Sequence, residues 1–556
     1  MYKSKSGTEI IVNNAGNEPI SVKKGASLIE IASLCEAPEG SLAAIVNNKL
    51  MDMGDRIYED SDVRFLDIAH SMGFRVYQRS LVFLTVYGIK AVLGPKTGIT
   101  VKHSVNKNLY FVLDECQDDD YLVRVESVMR DAVNENLPIR RRAVPPEEAA
   151  ELLRDFDNDS VIQALNYTRS DIVWVYSLGD YSDRIFGPIA PHAGLLGDFK
   201  LVPDGAGFYL QLPKADKSGY MDIAVLNKIR RVFDETAKWA GIIGVDGAGA
   251  LNKAVCRGRG GDIIRVNEAL HENRFAQIAD GIVYNAENKK KSVVLVAGPS
   301  SSGKTTFASR LCVQLRVMGI RPHVISLDNY FHSRTVVPLD ELGEPDFESF
   351  DFVDRDLLNS DLERLLAGDR VEIPSYNFKL GEREYKGDTL RLGENDGLVI
   401  EGIHALNGLL TQSVPECNKF KIFISALTQI NIDRHNRMPM SDARLLRRIV
   451  RDMRTRGHDA AKTLAMWDSV TRGEAKNIFP FQEDADMIFN SALVYELCIL
   501  KAYVEPLLFG IGPNHPSHAV ARRLLAYLDS FVAMPPDEVP NNSILREFIG
   551  GSCFDV

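Results

Sequence analysis

The chain of 556 residues has little cysteine, and the seven it has are scattered: Cys35, Cys116, Cys256, Cys312, Cys417, Cys498 and Cys553. No CxxC pair occurs and the number is odd, so neither a disulfide framework nor a cysteine-rich zinc site is implied, and a reducing cytoplasm is the expected compartment. Low-complexity tracts are absent, which leaves no segment compositionally marked as disordered. Basic excess is absent as well. A formal net charge of −11 argues against bulk nucleic-acid binding and leaves room only for a local basic patch. Long uninterrupted apolar runs are missing too. Leu81–Leu93 is broken by Lys90, Ala492–Ile511 by Glu496, Lys501 and Glu505, and MYKSKSGTEI lacks the apolar core of a signal peptide, so no membrane segment is expected.

What is present is an ordinary globular composition, 45% hydrophobic and 25% charged, on a chain too long for a single core. The most informative stretch is Ser292–Thr306, SVVLVAGPSSSGKTT. Val293–Ala297 reads as a buried parallel strand. It runs into Gly298, Pro299, Ser300, Ser301, Ser302, Gly303, Lys304 and Thr305, which fit the phosphate-loop pattern GxxxxGK[ST], with Thr306 in the helix that follows. Gly298 and Gly303 permit a tight turn whose N–H groups point at a phosphate, and the helix adds its positive end. Lys304 is expected on the outer phosphates of ATP and the Thr305 hydroxyl on Mg²⁺, a cation that prefers oxygen.

Further strands are expected at His323–Leu327, Leu398–Ile400, Lys421–Ile424 and Met487–Phe489. With helical stretches between them they imply a parallel sheet covered on both faces, its active residues at the strand C-terminal ends. Asp328 and Glu401 stand at two of those ends. In the segment Arg444, Arg447, Arg448, Arg451, Arg454, Arg456, the spacing puts Arg444, Arg448 and Arg451 along one helical face, which reads as a lid above the loop. Amphipathic helices are expected through ALVYELCILKAYVEPLLF and over Ala519–Val532, followed by a docked tail, NNSILREFIGGSCFDV.

The motifs SLDNYF, PDFESFDFVDRDLL, EIPSYNF, VIEGIHAL and RLLRRIVRDMRTRGHD together resemble the uridine kinase and phosphoribulokinase group. The resemblance implies a doubly wound α/β P-loop kinase over 292–490, with C-terminal helices and tail over 491–556. It implies ATP and Mg²⁺ as cofactors, Asp328 as the base for a nucleoside 5′-hydroxyl, Lys304 as a catalytic residue, and Glu401 beside Thr305 at the metal. Asp351 is expected at the ribose, Tyr376 and Phe378 against the base, Arg448 on the substrate, and Arg451 and Arg456 on the phosphates. Departures stand beside these. Gly381 occupies the place of a pyrimidine-reading histidine, Ser349-Phe350 replaces the family's His-Pro, and His458 replaces an arginine.

Ahead of this core, VNNKLMDMGDRIYEDSDVRFLD resembles the TGS module, a β-grasp fold, over 1–68. Residues 69–240, on Leu93-Gly94-Pro95, the run Val125–Leu153 and Phe186-Gly187-Pro188, resemble the α+β editing domain of threonyl-tRNA synthetases. The four metal-type positions of that pocket are Arg79, Phe83, Ile185 and Ile189 here, so the resemblance implies the fold without the editing reaction. His70 and His192 lie nearby and read as ordinary surface or core histidines. Between the halves, 241–291 reads as a glycine-rich and helical connector, a solvated hinge ending in the basic spacer Asn288–Lys291.

The expected activity is phosphorylation of a small hydroxylated substrate, a nucleoside first. Two alternatives stand: a sugar-phosphate or other small-molecule kinase of the same fold, and an ATP-switched protein whose front half binds tRNA or a partner, which is the less favoured. The sequence leaves the oligomeric state open.

Overall fold

The computed structural model describes residues 9–14, 18–115, 117–118, 120–156, 158–223, 227–287, 293–341, 343–428 and 430–555. Cys116, Ser292 and the spacer Asn288–Lys291 lie outside these. Cys256, Cys312, Cys417, Cys498 and Cys553 are free thiols, and no helix among the described residues is long and apolar enough to cross a membrane.

Residues 9–66 form a five-stranded sheet, in the order Ile20–Lys23, Glu9–Asn14, Ser61–Leu66, Ala43–Val46, Lys49–Asp52. The helix Leu28–Leu34 starts at Ser27, which exchanges hydrogen bonds with Glu30 in a capping box. From 71 to 223, the helix Ser71–Leu93 packs with a four-stranded antiparallel sheet and a three-stranded one. Phe83, Phe111 and Phe208 are fully buried there. Lys90, which interrupts the apolar run, turns inward and donates to the carbonyls of Thr97 and Phe156 at 2.7 and 2.6 Å.

The glycine-dense stretch is not an open hinge. It is largely helical, Asn227–Ile243 and Ala248–Cys256, and is followed by the long helix Gly260–Glu287. Gly249 packs so closely on the front half that a Cβ there would lie 2.8 Å from the Cβ of Gln163. Asn252 clamps the C-terminal region, donating to Ser530 O and accepting from Val532 N. Small residues serve close packing here.

The second half is built on a parallel sheet. Its strands are β1 (Val293–Ala297), β2 (Arg321–Ser326), β3 (Asp396–Glu401), β4 (Lys419–Ser425) and β5 (Met487–Asn490), in the order β2-β3-β1-β4-β5. Every residue of β1 is buried. Val294 and Val296 enter one core, while Val293, Leu295 and Ala297 enter another across the sheet. Burial on both faces explains why the strand reads as an unbroken apolar run rather than an alternation.

The helix Glu496–Phe509 belongs to the first of these cores and is buried over most of its length. Its charges are buried with it. Lys501 donates to the carbonyls of Leu528 and Phe531, and Glu496 accepts a two-pronged bond from the fully buried Arg447, both contacts at 2.6 Å. Removing one partner of such a pair leaves a bare charge in the core. We predict that Glu496→Ala loses about 3–5 kcal/mol of stability, read by denaturant unfolding. A loss under about 1 kcal/mol, the surface-pair range, would show that Arg447 finds another partner.

Candidate active site

At the end of β1 the chain turns at Gly298, where a Cβ would stand 2.0 Å from the carbonyl oxygen of Ile424, so only glycine fits. Ser301 and Gly303 are left-handed, at φ 58° and 89°. This conformation aims successive N–H groups into the loop and starts the helix Lys304–Val317. The hydroxyls of Ser301 and Ser302 are buried without a hydrogen-bond partner, and Lys304 Nζ reaches only the carbonyl of Pro299 at 3.3 Å. Buried orphan donors, inward N–H groups and a lysine in one loop are the chemistry that a polyphosphate satisfies, so these residues fit ATP.

Two of the loop's N–H groups are held by carboxylates from far along the chain. Ser300 N–H donates to Glu474 at 2.8 Å. Thr306 donates to Glu547 through N–H at 3.2 Å and through Oγ1 at 2.8 Å. Glu547 sits in the short helix Arg546–Ile549 of the tail. Ile544 closes over the same loop, its Cγ2 lying 2.5 Å from where a Cβ on Gly303 would be.

The arginine-rich helix, Met440–Arg451, is no outward lid. Residues Asp442 through Val450 are all buried. Arg444 grips Glu474 with both Nη atoms at 2.5 and 2.7 Å and donates to Ser300 O at 3.0 Å. Arg448 donates to Ser300 Oγ at 2.8 Å and to Asp452 at 3.2 Å. Arg451 pairs with Asp452 at 2.7 Å. Burial pushes the Asp452 carboxyl up, but Arg451, Arg448 and Arg456 outweigh it and hold it below the usual carboxylate range. The face expected as a lid above the loop instead buttresses it from a buried helix, because its guanidinium groups have buried carboxylates to neutralise.

Glu401 ends β3, buried, and accepts from Ser326 Oγ at 2.7 Å. Burial first, then the negative charge of Asp328, pushes its carboxyl up to about 7, with Lys304 opposing. Asp328 is the second residue of the turn Leu327–Tyr330 that follows β2. Glu401, Asp328 and the Thr305 hydroxyl are hard oxygen donors. The described residues contain no cluster of three or more His, Cys, Asp or Glu that could cage a metal. Such a donor set fits Mg²⁺ carried by nucleotide phosphates and one or two side chains.

Tyr376 is buried, edge-on to Phe331 and Phe378 with centroids at 5.8 and 5.1 Å. Phe378 is exposed and carries the guanidinium of Arg456 5.3 Å over its ring. Asp351 is exposed and pairs with Arg355 at 3.3 Å. Gly381 has φ 76°, and a Cβ there would lie 2.7 Å from Arg334 Cβ. Arg334 takes up this corner. Its N–H donates to Gly381 O at 2.8 Å and its Nη2 to Phe378 O at 2.7 Å. At the replaced His-Pro position, Phe350 meets the buried His404 edge-on at 5.4 Å. Burial pushes His404 down to about 4, so it is neutral. The sequence reading missed Arg334, His404, Glu474 and Glu547. His404 lay inside a quoted motif, whereas the other three sit outside every motif quoted for the site or, for Glu547, in a tail read only as docked.

His70, singled out earlier, caps the helix Ser71–Leu93 by accepting from Met72 N–H at 3.2 Å. Phe83, Ile185 and Ile189 are buried among apolar neighbours, and Arg79 donates to the Pro188 carbonyl. The four positions hold no metal-type set.

Comparison with known proteins adds three findings. Residues 293–496 match the model of the phosphoribulokinase / uridine kinase family. Uridine kinase-like protein 3 of Arabidopsis thaliana is 29% identical over 239 residues, 41% of this chain and 46% of its own length. A threonine–tRNA ligase of Methylococcus capsulatus is 28% identical over 176 residues, 31% of this chain and 27% of the ligase. The chain thus spans less than half the length of either relative. Among solved structures, a D-glycerate 3-kinase from Cryptococcus neoformans var. grubii aligns at 15% identity and TM-score 0.23, covering 48% of this chain and 89% of that one. Residues 293–496 are a kinase domain of the phosphoribulokinase and uridine kinase family, fused behind a front region similar to threonine–tRNA ligases.

Proposed function

We propose that the chain is an ATP- and Mg²⁺-dependent kinase that transfers the γ-phosphoryl group to the 5′-hydroxyl of a nucleoside. The observation that carries this reading is the phosphate loop with Lys304 beside the Asp328–Glu401 carboxylate pair, close to the aromatic pair Tyr376 and Phe378. Mg²⁺, when bound, neutralises charge on the phosphates. The chain's own residues do the rest. Asp328 accepts the hydroxyl proton as the oxygen bonds to the γ-phosphorus and the bond to the β-phosphate oxygen breaks, releasing ADP. Lys304, with the loop N–H groups, holds the transferring phosphates. Arg451 and Arg456, both drawn toward the Asp452 carboxylate, are suited to the charge that develops there.

A phosphate seated on Thr306 N–H competes with Glu547 for that donor. The front half, with Arg79, Phe83, Ile185 and Ile189 at the four metal-type positions, takes no part in hydrolysis. A sugar-phosphate or other small-molecule kinase is the second reading, favoured by one observation: Arg334, a cationic side chain, fills the corner at Gly381 where a base-reading group would stand. ADP release measured across nucleosides and sugar phosphates separates the two readings.

Lys304→Ala and Asp328→Asn are expected to fail differently. The first weakens ATP binding together with turnover. The second keeps ATP affinity within a few fold while kcat falls by roughly 10²–10⁴. Near-normal turnover in Asp328→Asn would remove it from the role of base.

The raised carboxyl of Glu401 predicts a pH dependence. Below about 7 it is protonated and a poor cation ligand; as pH rises through about 7 it ionises. Mg²⁺ affinity of the ATP complex should therefore increase across that range, more than in Glu401→Gln, which cannot titrate. In Asp328→Asn, which removes a charge that raises Glu401, the increase should come at lower pH. Calorimetric titrations giving identical profiles for the parent and Glu401→Gln would exclude Glu401 from the metal.

Stacking and ribose contacts tolerate any base, whereas a hydrogen bond to one base edge excludes the others. With Gly381 in place of the histidine, kcat/KM for uridine over inosine or adenosine should differ by less than about a hundredfold. Removal of the 2′-hydroxyl should cost more than changing the base, through Asp351. Steady-state kinetics showing uridine preferred by many thousandfold would mean that another residue reads the base.

A further inference from the structure

Away from the phosphate loop, a cavity of about 90 Å³ lies where the front half meets the kinase half. The helix Ser71–Leu93 contributes Arg75 and Arg79 to its wall, the loop after Arg184 contributes Ile185, the segment before the arginine-rich helix contributes His435 and Arg437, and the helix His518–Leu528 contributes Tyr527. Arg79 and Ile185 are two of the four positions where synthetases keep polar editing residues. The pocket has survived with its chemistry replaced.

Its charge is unbalanced. Nε and Nη2 of Arg437 are buried without a hydrogen-bond partner. Burial alone pulls Arg437 down, to about 10, and no carboxylate offsets it. Arg79 spends Nε and Nη2 on the single carbonyl of Pro188. The charged groups felt by Arg79 are Arg523 and Arg75, with the phenols of Tyr527 and Tyr176, and none is a carboxylate.

The nearest acids are engaged elsewhere. Asp442 is held by Arg75 and Arg523. Asp183 is bonded to His435 and Tyr181, and Asp433 to the backbone of His435 and to Asn436. His103, which feels the charge of Arg437, is itself pushed down to about 3 by burial and that charge, and is neutral.

A buried guanidinium with neither counter-ion nor complete hydrogen bonding is costly unless an anion supplies both. The planar guanidinium fork of Arg437 matches the oxygens of a phosphoryl group, and the cavity is far smaller than one that holds a nucleotide. We propose that this interdomain pocket is an anion site that binds inorganic phosphate or the phosphoryl group of a small monoester at Arg437.

The test uses the full chain carrying Lys304→Ala, so that phosphate held by the loop does not mask the pocket. Thermal unfolding is followed with inorganic phosphate against chloride at equal ionic strength, and with methyl phosphate alongside. Phosphate or methyl phosphate should raise the midpoint by about 2 °C or more, and a response to methyl phosphate as well would show the pocket open to a monoester. Arg437→Gln in the same background should abolish the rise. Its midpoint without phosphate should equal or exceed that of its parent, since an unpaired charge has been removed, whereas a merely structural arginine would lower it. Arg437→Lys, which keeps the charge and loses the planar fork, should weaken the phosphate response and serves if Arg437→Gln does not fold. No stabilisation by either phosphate, or an unchanged response in the folded arginine variants, would overturn the proposal.

Discussion

The structure of the kinase half depends on one electrostatic demand. The turn that joins β1 to its helix gathers inward N–H groups at a positive helix end, and such a nest needs anions. Glu474 and Glu547 provide them on the protein's side, at Ser300 and Thr306. Carboxylates brought this deep need cations in turn. Arg444 answers Glu474 on the loop, and Arg447, which also reaches Ser301 O at 3.4 Å, is answered by Glu496 of the helix Glu496–Phe509. The order of layers, loop then acid then arginine then acid, follows from the first.

The same rule makes sense of apparently misplaced charges elsewhere. Lys90, Lys501 and Glu496 break apolar runs in the sequence, yet each is buried and its polar atoms meet carbonyls or a guanidinium. Buried pairs of this kind add little net stability compared with apolar packing, but they penalise any arrangement in which the partners are apart. Among the described residues Arg437 departs from this rule, with Nε and Nη2 buried and unbonded, which is why the pocket around it stands out.

Legibility followed the range of the interactions. The strands β1, β3 and β4 could be read because burial on two faces writes itself locally as an apolar run, and the loop because glycine positions and Lys-Thr are adjacent in sequence. The edge strand Ile20–Lys23, with only Val22 buried, carries no such signature and was not read. The helix Met440–Arg451 was read as a lid above the loop from its arginine spacing alone; the acids that bury it, Glu474 and Glu496, lie 30 and 49 residues from Arg444 and Arg447. The tail's role could not be read at all, because Glu547 reaches Thr306 across 241 residues. At the front, Arg79 was legible only as the loss of a histidine, and its new surroundings needed the fold.

The docked tail bears on how a nucleotide could enter. Full release would expose Ile544, Leu545, Phe548 and Ile549, all buried, at about 1.5–3 kcal/mol for each large apolar side chain. It would also break the bond from Arg454 to the Phe548 carbonyl at 2.6 Å and those from Arg546 to Pro536 and Val539. Swinging the Glu547 carboxylate alone gives up only its bonds to Thr306, and a phosphate would replace them at once. Charge-assisted hydrogen bonds contribute about 1.5–3 kcal/mol each, so exchanging one anion for another costs far less than undocking four apolar side chains. On these magnitudes, a side-chain exchange on a tail that stays in place is the cheaper way for the loop to trade its own carboxylate for a phosphate.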